Sequence, residues 1–204
     1  MDRRQLLQRL DKAWLEFKGS YAGLSDSQIL EPGVQGRWSV RDILAHVTTW
    51  EEEALTHLPL ILVGGRPPRY STTYGGIDAF NALMTERKRD LSLSEVRRQL
   101  DEVHGRLIDY VSGAPEEVFT QETRFRRRLR LDAYGHYPKH ARAIRAWRER
   151  IVGETIASNS RSSREPGGSR EPTSGPRSRL LPTYREAVRS LSPGSSSSPS
   201  QSTV

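Results

Sequence analysis

The sequence predicts an all-α protein, an antiparallel four-helix bundle with a disordered C-terminal tail, and three observations predict it. Apolar residues recur at steps of three and four through residues 1–152, the period of a helix that buries one face. No segment sustains the apolar/polar alternation of a half-buried strand. From Gly153 the chain changes to GETIASNSRSSREPGGSREPTSGPRSR and ends in SPGSSSSPSQSTV. That part is too poor in apolar residues to offset the entropy of ordering it. The expected division is a bundle domain over 1–152 and a Ser/Pro/Arg-rich tail over 153–204.

The first element follows from Leu6, Leu7, Leu10, Trp14, Phe17, Tyr21 and Leu24, one stripe on a helix from about Asp2 to Ala22. LSDSQILEPGVQGR then reads as a short helical turn and a loop, because Pro32, Gly33 and Gly36 break any longer pattern. Ser39 opens the second long helix as N-cap, with Asp42 three residues on for a capping box and Trp38 and Ile43 as a hydrophobic staple. Its stripe is Val40, Ile43, Leu44, Val47, Trp50, Ala54 and Leu55, and Pro59 is expected to end it. After the loop GGRPPRYSTTYGG, the segment IDAFNALMTERKRD is helical. Ser92 and Glu95 then give a second capping box, with Leu91 and Val96 as staple, for a helix carrying Val96, Leu100, Val103, Leu107 and Val111. A turn at APEEVF and the basic segment RFRRRLR, read as an exposed loop, lead to the last helix. Its inward candidates are Tyr134, Tyr137, Ala141, Ile144 and Trp147. In the tail, LLPTYREAVRSL is either a short amphipathic helix or disordered.

Composition removes several classes of function. With no cysteine there is no disulfide framework, thiolate metal site or cysteine nucleophile, so any metal must be held by His, Asp or Glu. No apolar run is long enough to span a bilayer, and the N-terminus lacks the core of a signal peptide, so a cytoplasmic location is expected. Residues 1–152 hold 25 basic and 21 acidic side chains, a net +4. That balance, without a stacking platform or groove-reading motif, argues against a nucleic-acid partner.

Five histidines remain, and two of them, His136 and His140, stand four apart in GHYPKH. On a helix that spacing lets both imidazoles bind one ion. His46, at the apolar edge of its own helix, is the natural third ligand, and three histidines would leave a coordination position open. The alternative makes all three hydrogen-bonded packing residues, and Pro138 supports it, since a proline inside a helix removes an amide donor. His104, between Leu100 and Leu107, faces the interior as an acid, base or substrate contact, or simply packs. His57 is expected in water or near the helix C-terminus.

GRWSVRDILAHVTTWEEEAL resembles the second-helix signature of the DinB-like four-helix bundle superfamily, with Trp38, Ser39, Asp42, Leu44-Ala45-His46 and Trp50 in order. IDAFN, the His104 segment and AYGHYPKHARAIRAWRER are similar to its ClbS/DfsB branch. The resemblance covers about residues 4 to 150. It implies an up-down-down-up bundle in which one histidine of the second helix and the HxxxH pair of the last bind a divalent ion such as zinc or nickel. Those positions are His46, His136 and His140. The activities it implies are diverse: thiol-dependent S-transfer with a low-molecular-weight thiol, maleylpyruvate isomerisation, metal-dependent hydrolysis, and, for the ClbS type, opening of a cyclopropane in a genotoxin. Homodimers are common among such relatives, and a shared fold does not transmit a reaction.

On this reading the ion would acidify a bound water or hold a thiolate, and the substrate is a small electrophile. Glu53, seven residues after His46, is a general base or orients an imidazole; otherwise it belongs to a solvated EEE face. Asp132 has the same roles open to it, with an N-cap role favoured. The arginines of RFRRRLR would draw an anion to the bundle mouth or simply be solvated. Two functions therefore stand: a divalent-metal enzyme of hydrolase or S-transferase type, serving detoxification or stress resistance, and a non-catalytic bundle that binds a ligand or partner.

Overall fold

A computed structural model describes residues 1–162; residues 163–204 of the expected tail, including LLPTYREAVRSL, lie outside the described residues. Among the described residues the structure is helical, with no strand. Four long helices form the bundle: α1 (Arg3–Tyr21), α3 (Val40–Leu62), α6 (Leu93–Gly113) and α9 (Tyr137–Ser162). Short helices connect them: α2 (Asp26–Leu30), α4 (Tyr70–Thr73), α5 (Ile77–Arg87), α7 (Glu117–Thr120) and α8 (Arg124–Asp132).

The starts follow the capping signals. Ser39 accepts from the Asp42 amide while Asp42 reaches back to the Ser39 amide at 3.0 Å, a complete capping box. Removing it with Ser39→Ala is expected to lower stability by about 1 kcal/mol, read as a fall in the urea midpoint at unchanged slope. The second box forms only in half: Ser92 caps the Glu95 amide, but the Glu95 carboxylate turns to Arg98 and Gln99. The charged Arg98, one turn along, competes better for it than a neutral backbone amide.

Helix direction can be read from pairs of contacts. Along α1, Arg3 meets Glu116, Trp14 stacks on His104 and Lys18 reaches Asp101, so α1 and α6 are antiparallel. Arg41 at the start of α3 binds the Leu91 carbonyl, and Glu51 meets His104 ten residues on, so α3 runs with α6. Trp14 packs on Tyr137 and Arg148 bonds the Ser20 carbonyl, so α9 runs with α1. The order is up, down, down, up. Two parallel neighbours, α3 and α6, require a long crossover, which α4 and α5 occupy.

The core holds Leu6, Leu10, Phe17, Ile43, Leu44, Leu100, Leu107, Tyr137 and Ile144, each at most 1% exposed. The five inward candidates of the last helix are all buried.

Four local expectations are corrected. Pro59 does not end α3, which continues to Leu62. One amide is lost there, but the Pro59 carbonyl still accepts from Val63 and Leu58 stays fully buried. His57 is consequently inside a helix and buried beneath Tyr70, not in water. RFRRRLR is helix α8 and not a loop, because Phe125 and Leu129, four apart, both bury against the bundle. Asp132 ends that helix, 1% exposed and paired with Arg128 one turn earlier, so it is not an N-cap.

A candidate three-histidine metal centre

α3 and α9 cross with His46 facing His136 and His140. Pro138 is no obstacle: it is the second residue of α9, in the first turn, where helix amides have no intrahelical acceptor. The helix therefore starts one residue after His136, whose own amide bonds the Ala133 carbonyl at 2.7 Å. Trp38 tilts onto His46 at 4.8 Å between ring centroids. It comes from a tight turn in which Gly36 adopts φ +61°, a left-handed conformation that glycine supplies without strain.

The three imidazoles converge on Nε2. His136 Nε2 lies 3.2 Å from that of His46 and 2.9 Å from that of His140, and one ligand atom from each residue falls within 4.8 Å of the others. Two nitrogens bound to one zinc ion at 2.0–2.1 Å in tetrahedral geometry stand roughly 3.3 Å apart. The spacing fits such an ion. Without one, the single Nε2 of His136 must serve two nitrogen neighbours with one proton or one lone pair.

All three rings are held neutral, the form that binds metal. Burial first, then His136, His140 and Lys88, pushes His46 down to about 2. Burial, His140 and Lys139 take His136 to about 3, against a smaller opposite pull from the Asp132 backbone. Burial and then Lys139 take His140 to about 4. The Nδ1 atoms of His136 and His140 are buried without a hydrogen-bond partner among the described residues.

A cavity of about 380 Å³ opens beside the centre, walled by Trp50, Tyr70, Ile77 and Leu131 and edged by Arg128 and Lys139. A second lobe of about 350 Å³ continues past Gln35 and Trp38 and shares His46, His136, Asn81 and Lys139 with the first. The position facing the histidines is thus reachable by a small molecule.

Glu53 and His104, the expected catalytic residues, lie elsewhere. Glu53 accepts a short hydrogen bond from Tyr70 and stands 3.5 Å from His57 and 3.8 Å from Arg128, behind the cavity wall. Arg128 also bonds Asp132 and donates to the Tyr70 hydroxyl at 2.8 Å. Burial pushes Asp132 up to about 7, while Arg128 pulls it the other way. His104 is in the core, stacked on Trp14 at 3.7 Å. Its Nδ1 is 2.8 Å from Glu51 Oε1, which also accepts from the Tyr137 hydroxyl.

Glu51 is the residue that sequence reasoning missed. It is fully buried, and burial raises its pKa against the hydrogen bond from His104. Tyr137 is flanked by His136, so this network ties the start of α9 to α3 and α6. Glu51→Ala leaves His104 and Tyr137 without their partner and is expected to cost about 3–5 kcal/mol. Glu51→Gln keeps the shape and one acceptor and should cost clearly less. Urea denaturation of both variants measures the difference, and equal costs would remove the network's significance.

Three solved structures share this helical architecture. A structure described as "Sibling Lethal Factor Precursor - DfsB" superposes over 74% of this chain and 97% of its own, with TM-score 0.62 and 19% identity. The colibactin self-resistance protein ClbS, solved in complex with a dsDNA, covers 70% of this chain and 93% of its own, with TM-score 0.59 and 12% identity. An uncharacterised protein from Escherichia coli UTI89 covers 74% and 95%, with TM-score 0.63 and 14% identity. No curated protein matches the chain. The model of the DinB superfamily matches residues 9–143, well over half of the sequence, and the chain belongs to the DinB superfamily, sharing its fold with DfsB and ClbS.

Proposed function

We propose that this protein is a divalent-metal-dependent enzyme acting on a small electrophilic molecule, by hydrolysis or thiol transfer, with His46, His136 and His140 as the metal ligands. The carrying observation is the convergence of three Nε2 atoms, from α3, from the residue before α9 and from α9 itself, at the spacing one ion requires, beside an open cavity. Three neutral ligands leave the charge of a zinc or nickel ion uncompensated, which favours an acidified water or a thiolate in the open position. The role this reading gives the protein is detoxification or stress resistance. Glu53 and His104 would act through Tyr70 and Glu51 and not by touching a substrate. Metal analysis of untagged protein tests the proposal: about one zinc or nickel per chain supports it, and none, after incubation with either ion, overturns it.

Double-stranded DNA is the second reading, since ClbS was solved with it. Against it, four of the five arginines of α8 are occupied within the chain: Arg124 by Gly64 and Gly65, Arg126 by Gln121, Arg128 by Asp132, and Arg130 by Glu122. An electrostatic footprint for phosphates needs such charges free.

A further inference from the structure

Asn81, from the segment IDAFN, has no part in the metal centre, yet it faces both lobes of the cavity in company with His46 and His136. Its carboxamide is oriented by Trp50, whose Nε1–H donates to Oδ1 at 3.2 Å. An indole N–H can only donate, so the oxygen must face it and the Nδ2 amino group must point away. Nδ2 forms no hydrogen bond among the described residues. The result is a neutral donor, fixed in direction before any ligand arrives, next to the three histidines.

The surroundings narrow what that donor serves. Ile77 and Leu131, both lining the cavity, are 54% and 64% exposed, large aliphatic surface beside a polar site. Arg128 is committed to Asp132 and Tyr70, and Asp132 lines the cavity beside it, so that pair adds no net charge, while Lys139 stands at the edge. The oriented donor, Asn81 Nδ2, is itself neutral, and a neutral acceptor satisfies it without an ion pair. A cavity of about 380 Å³ suits a ligand at the small end of the usual range.

We infer that the cavity binds a small neutral carbonyl compound, of the amide or ester class, with Asn81 Nδ2 hydrogen-bonding its oxygen and Ile77 and Leu131 covering its apolar body. The inference rests on the histidine centre being the reacting site, and it names the class of substrate for that site. Held this way, Asn81 would stand where negative charge grows on the oxygen during hydrolysis, beside the histidines that would hold the ion.

The test uses 2-phenylacetamide as neutral probe and phenylacetate as its anionic counterpart, followed by saturation-transfer NMR on the full chain, metal-free and zinc-loaded. Saturable binding of the amide is expected in the metal-free protein. It should weaken on the order of tenfold in Asn81→Ala, the loss of one hydrogen bond. Asn81→Asp, isosteric but without the donor, should match it and serves if the alanine variant folds poorly. Trp50→Phe, which keeps the ring wall but frees the carboxamide, should weaken binding less. Absence of saturable binding, wild-type affinity in both Asn81 variants, or preference for phenylacetate in the metal-free protein would each overturn the inference. Zinc content measured on the same samples separates the two readings. Zinc uptake without Asn81-dependent binding removes this inference alone, and amide binding without zinc uptake removes the metal reading alone.

Discussion

His136→Ala and His140→Ala are each expected to abolish stoichiometric zinc uptake, while the wild-type chain is expected to take up about one ion. The expectation follows from geometry: each substitution leaves two of the three nitrogens that stand within one ion's reach. Losing an outer-shell partner already costs about 10–100-fold in metal affinity, and losing a ligand costs more. The same loss appears in stability. An ion that binds only the folded chain stabilises it by about 2.7 kcal/mol at a hundred times its dissociation constant. Zinc should therefore raise the melting temperature of the wild type by several degrees and leave both variants where they were. His46→Ala should behave alike, since it removes the one histidine that α3 brings to the cluster, whose Nε2 contacts His136. The outcome that sinks the reading is a wild type that neither holds zinc nor gains stability from it. Retained zinc in all three variants would place the ion elsewhere.

The parts of this fold that were legible in the sequence are those fixed by local chemistry. Ser39 and Asp42 announce their capping box because both partners lie within one turn. The stripe of the last helix, from Tyr134 to Trp147, is buried as its spacing indicates. His46, His136 and His140 can be grouped because the HxxxH spacing puts two imidazoles side by side and His46 is a candidate third at the apolar edge of its own helix. Glu51 is also legible in the spacing as a buried residue. It stands between Val47 and Ala54 at steps of four and three, inside the buried stripe, and the neighbouring Glu52 and Glu53 disguised it as part of a solvated run. Its partners were not readable, since His104 and Tyr137 are distant in sequence and meet it only when α6 and α9 pack on α3. The errors at Pro59, His57 and α8 share one cause. A helix breaker or a run of like charges was weighed locally, whereas burial of Leu58, Phe125 and Leu129 decided the outcome.

The largest effect of pH is expected in the metal-free protein. Unfolded, the three histidines titrate near 6.5; folded, burial and their neighbours hold them at about 2, 3 and 4. A depressed histidine disfavours folding once the unfolded chain takes up protons that the folded chain refuses. Stability is thus unaffected above about pH 7.5 and falls as pH drops through 6.5. With three sites acting together, the slope near pH 5 approaches about 4 kcal/mol per pH unit, and the accumulated loss at that pH reaches about 6 kcal/mol. A domain of ordinary stability, about 5–15 kcal/mol, is then close to its limit, so the metal-free protein should unfold, or expel its histidines, between pH 6 and pH 4. The double variant His136→Ala/His140→Ala retains one of the three sites and should lose about two thirds of the slope. Zinc acts in the same direction by a different route, since it occupies the lone pairs that protons seek and moves the transition to lower pH. Urea titrations of the metal-free wild type at a series of pH values measure the slope directly. A midpoint that holds constant from pH 7 to pH 5 would mean that the imidazoles are already solvated, and with that the tight Nε2 cluster could not persist in solution.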